Sequence, residues 1–61
     1  MIAKILLVED DTEFLNLTRT WLHNAGYEIL TAGDGLEGLR CVYSSHPDLV
    51  ILDANIPKMD G

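Results

Sequence analysis

Leu49-Val50-Ile51-Leu52-Asp53 is four apolar residues closed by a carboxylate. The run reads as a buried strand. Working back along the chain, Ile5-Leu6-Leu7-Val8 is a second run of the same kind, and it ends in Glu9, Asp10 and Asp11. Lys4 to Val8, short, β-branched at its ends and without polar alternation, predicts a first strand buried on both faces. In a parallel sheet the strand ends share one edge, so acids far apart in sequence can converge there. Clustered carboxylates repel one another, and a hard divalent cation is the usual reason to hold them together. A carboxylate beside such a cation can also act as a nucleophile toward phosphorus.

Between the two runs the punctuation is regular. Asp11 or Thr12 can cap a helix reaching about Ala25, with Phe14, Leu15, Thr18, Trp21, Leu22 and Ala25 at helical spacing. Phe14 and Trp21 are expected in the core. Gly26 stops that helix, free to take positive φ. Tyr27 to Ala32 alternates in part and predicts a strand near a sheet edge. Asp34-Gly35-Leu36-Glu37 has the form of a capping box, with Asp34 as cap and Glu37 reaching back. The helix it opens runs to about Ser45 through Leu36, Leu39, Val42 and Tyr43, and His46-Pro47-Asp48 breaks it. Residues 54–61 predict a loop with a terminal Asp60-Gly61 turn.

The expected fold class is therefore α/β, a β-α-β-α-β chain with parallel strand order 2-1-3. The chain direction reverses between the first and third strands. Ligands of open α/β sheets bind beyond the strand carboxyl ends at that switch point, where both acidic segments fall.

Composition narrows the function. The 61 residues are 48% hydrophobic and 23% charged, which excludes a disordered tail. A domain this small buries only about 60% of its unfolded surface, so support from a partner surface is plausible. Ten acids against four bases give a formal charge of −6, which argues against direct binding of nucleic acid or an anionic membrane. No apolar stretch is long enough to span a bilayer, and Met1 leads straight into a strand without a signal peptide. Cys41 is the sole cysteine, so there is no disulfide framework. Together these fit a cytoplasmic protein.

Other groups have plainer readings. Asp11 and Asp34 are helix caps, and Asp60 is a turn residue. His23 and His46 show no metal-ligand spacing with each other or with Cys41, and are expected on the surface. Asp53-Ala54-Asn55-Ile56-Pro57 begins like a calcium loop, but Lys58 stands where such a loop needs Gly.

Four segments, in order and at matching spacing, resemble the bacterial response regulator receiver domain: Ile5 to Asp11, Ala32-Gly33-Asp34-Gly35, Pro47 to Asp53, and Ile56 to Gly61. The resemblance covers essentially the whole chain. It implies a truncated flavodoxin-like receiver, with residues 1–61 forming the N-terminal half of the domain. It implies that Asp53 is the phosphoacceptor, receiving phosphate from a sensor histidine kinase or phosphotransfer protein. It implies Mg²⁺ as cofactor, with Asp10 a direct ligand, Glu9 assisting through water, Asp53 itself a ligand, and the Asn55 backbone carbonyl another. Asn55 also lies two places after the acceptor, where the family tunes acyl phosphate hydrolysis. The resemblance implies a signalling acceptor of a two-component system and not an enzyme. It further places a Ser or Thr after a fourth strand and a Lys after a fifth, neither matched within these residues. The isolated segment is accordingly expected to be inactive alone and to self-associate through its third strand. The rival reading is a magnesium-dependent phosphohydrolase resembling the haloacid dehalogenase superfamily. That chemistry needs a second Asp two residues after the nucleophile, where this chain has Asn55, and it gives Glu9 and Asp10 no role.

Overall fold

The computed structural model describes residues 2–52. Asp53, Asn55 and the expected loop over 54–61 lie outside the described residues. Five elements follow one another: β1 (Lys4–Val8), α1 (Thr12–Asn24), β2 (Glu28–Ala32), α2 (Gly35–Ser45) and β3 (Leu49–Leu52). The sheet is parallel in the order β2-β1-β3. This is the expected topology, and the partly alternating strand does lie at an edge.

The register fixes the two faces. Leu6 is level with Leu30 and Val50, and Val8 with Ala32 and Leu52. Side chains alternate along a strand, so these six residues share one face, and α2 packs on it. Leu6, Val8 and Ala32 form the buried cluster there, flanked by Leu30, Cys41 and Val42. α1 covers the other face, where Ile5 and Leu7 are also buried.

The contact of α2 with β1 is close. Gly38 is the buried residue of that helix, and a Cβ at this position would stand 2.9 Å from Val8 Cγ2. The missing side chain lets helix and strand approach.

The helix ends follow the sequence reading. Asp11 Oδ1 accepts from the amides of Glu13 and Phe14, and Asp34 Oδ1 accepts from the amide of Glu37. Only this arm of the capping box forms; the return bond from the Glu37 side chain to the Asp34 amide is not made. Gly26 ends α1 with φ of +103°. α2 ends on His46, which takes the left-handed conformation at φ 50° despite its side chain. A clasp then ties the start of β3 to the start of β1. The Lys4 amide donates to Asp48 Oδ2 at 2.7 Å, the Asp48 amide donates to Lys4 O at 2.7 Å, and Lys4 Nζ donates to Ser45 O.

Two expectations about burial are corrected. Phe14 and Trp21 are exposed, Trp21 at 77%. At about 100° per residue, Leu15, Thr18 and Leu22 make the seam toward the sheet, and all three are half-buried. Phe14 and Trp21 are rotated away from it. The same holds in α2, where Gly38, Cys41 and Val42 face inward while Leu36, Leu39 and Tyr43 are exposed. The second correction is β3. All four of its residues are exposed, Leu49 at 54%. Neither helix covers it, and an open groove of about 140 Å³ separates Leu39 and Val42 of α2 from Val50 and Leu52.

Candidate functional site

The C-terminal edge of the sheet is built by register. Val8 pairs with Ala32 on one side and with Leu52 on the other, so the chain leaves all three strands at one level. The residues that follow these positions are Glu9, Gly33 and Asp53. Of the expected site set, the structure describes Glu9 and Asp10; Asp53 and Asn55 are outside the described residues.

Glu9 and Asp10 are neighbours in sequence but differ in setting. Glu9 is buried at 4% exposure and is the one buried charged residue among those described. Its amide donates to Ala32 O at 3.0 Å, which extends the β1–β2 ladder one step past the strand. Its side-chain Oε2 accepts from the Asp11 amide at 3.0 Å. A desolvated carboxylate needs such donors, and this one braces the turn into α1. Asp10 is exposed. Its carboxylate is therefore the one of the pair left to the solvent side of the edge. Asp11 and Asp34 serve as caps, as their positions before the two helices predict, and are occupied by helix amides. His23 and His46 are exposed. Among the described residues no three His, Cys, Asp or Glu side chains gather into a metal-holding group, so the complete ligand set expected from sequence involves residues beyond those described.

The donors that are described are carboxylate oxygens, which suit a hard cation better than a soft one. The engagement of Glu9 by a backbone amide suits an indirect role toward such an ion, and the exposure of Asp10 suits a direct one. The burial difference between the two adjacent acids was not legible in the sequence; the pairing of Val8 with both neighbouring strands supplies it. The structure also adds the Lys4–Asp48 clasp at the opposite edge of the sheet, far from this chemistry.

Comparison with known proteins accords with the geometry. The response regulator receiver domain matches residues 5–61. The chain belongs to that family, the signalling domains of two-component systems. It is 41% identical over 61 residues to the alkaline phosphatase synthesis transcriptional regulatory protein PhoP of Bacillus subtilis, covering 100% of this chain and 25% of that one. It is 40% identical over 58 residues to the transcriptional regulatory protein PrrA of Mycobacterium tuberculosis, covering 95% and 25%. Among solved structures, the chemotaxis response regulator CheY4 of Vibrio cholerae superposes with a TM-score of 0.89 at 37% identity, covering 93% of this chain and 48% of that one. A response regulator receiver domain protein from Clostridium thermocellum gives 0.89 and 37%, covering 93% and 47%. The chain thus spans about a quarter of these curated relatives and about half of these solved chains. The described elements have the strand order of the flavodoxin-like receiver fold over the part that these chains share. Among the described residues no helix is long and apolar enough to cross a membrane.

Proposed function

We propose that this chain is the acceptor-bearing N-terminal half of a response regulator receiver, and that Asp53 accepts a phosphoryl group from a phosphohistidine on a sensor kinase or phosphotransfer protein. A carboxylate oxygen of Asp53 attacks phosphorus, the P–N bond breaks, and the histidine nitrogen keeps the electron pair and takes up a proton. The product is an acyl phosphate. A Mg²⁺ ion, when bound, would neutralise the crowded anionic oxygens of donor and acceptor. Asp10 would ligate it directly, Glu9 would orient a ligand water, and Asp53 and the Asn55 carbonyl would complete the protein donors. The domain acts in the cytoplasm as a signalling acceptor and not as an enzyme with turnover on small substrates.

The observation that carries this reading is the register Val8 to Leu52. The two residues that come next in the chain, Glu9 and Asp53, each follow an apolar strand, and the switch point between β1 and β3 is where α/β sheets bind ligands. The burial of Glu9 at this edge supports it further, because a desolvated carboxylate is retained against a cost.

The test is acyl phosphate formation from acetyl phosphate or a phosphorylated kinase domain, read on a phosphate-affinity gel. A receiver formed by extending this chain through the unmatched half of its relatives is expected to label, and its Asp53→Asn variant to lose all label, because an amide is a poor nucleophile. The 61-residue chain by itself is expected to label far less. Full labelling of Asp53→Asn would move the acceptor elsewhere, with Asp10 the next candidate.

A further inference from the structure

We infer that Asp11 is a positioning residue for the cation edge: it fastens the Glu9 carboxylate to the first turn of α1 and so sets the bend that presents Asp10. Asp11 in this role deepens the proposed cation site and rests on it. Glu9, Asp10 and Asp11 are three acids in a row, and the outer two are spent on building the turn. Asp11 is bonded in both directions. Its amide donates to Glu9 Oε2 at 3.0 Å. Its Oδ1 accepts from the amides of Glu13 at 3.0 Å and Phe14 at 3.2 Å, and its carbonyl accepts from the Leu15 amide at 2.9 Å. Glu9 is anchored on the other side by its own amide, which donates to Ala32 O. Asp10 forms the bend between these anchors, exposed, and its carboxylate takes part in none of these bonds.

A carboxylate on a loose turn loses backbone freedom when it ligates a cation, and one whose neighbours are already fixed loses less. The Glu9 carboxylate is buried, and a desolvated charged acceptor holds an amide donor strongly. The cap keeps that donor in place. Asp11 has extended backbone at φ −84° and ψ 109°, so its side chain serves α1 while its N–H serves Glu9. Without the cap, the first turn of α1 and the amide that Glu9 accepts loosen together. The coupling is reciprocal, so a cation held by Asp10 should also steady the Glu13 and Phe14 amides. Asp34 supplies the internal comparison. It caps α2 beside the same edge, but its bonds run into α2, from the Glu37 amide to Oδ1 and from the Gly38 amide to its carbonyl, both at 2.9 Å.

The test is a titration of the 61-residue chain with Mn²⁺, a hard cation that shares the oxygen preference of Mg²⁺, at about 0.15 M salt. Paramagnetic broadening of the amide resonances reads weak binding residue by residue, and in the wild type it should centre on Asp10. Asp11→Ala should weaken Mn²⁺ binding about ten-fold, as loss of a group that orients a ligand does. Asp11→Asn still caps and should stay within about three-fold of wild type, the share of one exposed charge in water. Asp34→Ala also removes a cap and a charge, and should stay within the same range. Circular dichroism and urea unfolding establish that each variant is folded. Asp11→Gly loses the side-chain acceptor at little cost in stability and replaces Asp11→Ala if that variant does not fold, with the same loss expected. Without metal, Asp11→Ala should speed exchange of the Asp11, Glu13 and Phe14 amides more than that of Leu6 and Leu7. Wild-type Mn²⁺ affinity in Asp11→Ala overturns the inference and leaves the cation site standing. Equal losses in Asp11→Ala and Asp11→Asn, or in Asp11→Ala and Asp34→Ala, also overturn it, because charge or general stability then accounts for the effect. A wild-type chain without broadening at Asp10 overturns the cation site itself and the inference with it.

Discussion

β1 and β3 have nearly the same composition and opposite environments. Ile5 to Val8 are each no more than 4% exposed, while Leu49 to Leu52 are all exposed. Both are apolar runs, both end at the same sheet edge, and they are hydrogen-bonded to each other in register. The difference is position. β1 has a strand on each side and a helix on each face; among the described residues β3 has one strand neighbour, and neither helix lies over it. An apolar run specifies a strand that can be buried, and the neighbouring elements decide whether it is.

The sharpest way to break this comparison is to truncate the same face of each strand. Leu6 and Val50 are level in the sheet and point toward α2, but Leu6 is 0% exposed and Val50 43%. Leu6→Ala opens a cavity in the buried cluster and is expected to cost about 2–5 kcal/mol, enough to unfold much of so small a domain. Val50→Ala should cost less, about 1 kcal/mol, since Val50 keeps 43% of its surface in water. Urea unfolding of both variants measures the gap. Equal losses would mean that β3 is as well covered as β1.

A second, smaller effect tests why α2 stops at β1 and does not reach β3. The helix approaches the sheet where Gly38 lies on Val8, and Gly38→Ala would place a Cβ 2.9 Å from Val8 Cγ2. Val is stiff at χ1 and Val8 is buried, so neither side can yield cheaply. Overpacking costs about 1–3 kcal/mol, against a gain of about 1 kcal/mol in helix propensity. A net loss of roughly 1 kcal/mol is expected. Combining it with Val8→Ala should recover the Gly38→Ala part of the loss, giving a coupling that two independent sites would not show.

The sequence was most legible where one residue settles one local geometry. Asp11 and Asp34 cap the two helices, Gly26 takes positive φ, and the β-α-β-α-β order holds. Burial was less legible. Helical spacing shows that Phe14, Leu15, Trp21 and Leu22 share a broad apolar side, but the part of that side that meets the sheet depends on how the helix is rotated, and Phe14 and Trp21 fall outside it. His46 at positive φ carries no glycine to announce it. At the candidate site, strand ends located Glu9 and Asp10, while the burial of one and exposure of the other come from the pairing of Val8 and from the Asp11 amide. Strand order was legible, but side-chain contacts between distant residues were not, and the clasp between Lys4 and Asp48, 44 positions apart, is the clearest case.

That clasp gives the smallest expected effect and the finest test of how β3 is held. The strand has four ladder positions with β1 and, among the described residues, no second strand neighbour, and its attachment at the N-terminal end rests also on Asp48. The Asp48 side chain accepts the Lys4 amide at 2.7 Å, and its own amide returns a bond to Lys4 O. Asp48→Ala removes only the first of these. The site is exposed, and water can replace the lost acceptor, so the global cost is expected at about 0.5 kcal/mol, the low end for a hydrogen bond. The local effect should be larger than the global one. β3 is the least covered strand, and such elements open before the rest of a structure. Amide exchange at Leu49 and Val50 should therefore accelerate several-fold in Asp48→Ala while exchange at Leu6 and Leu7 follows only the small global change. Asp48→Asn keeps a side-chain oxygen in place and should retain most of the protection. Uniform acceleration across β1 and β3 would show that the two strands open as one unit, and that their difference in exposure is not a difference in local stability.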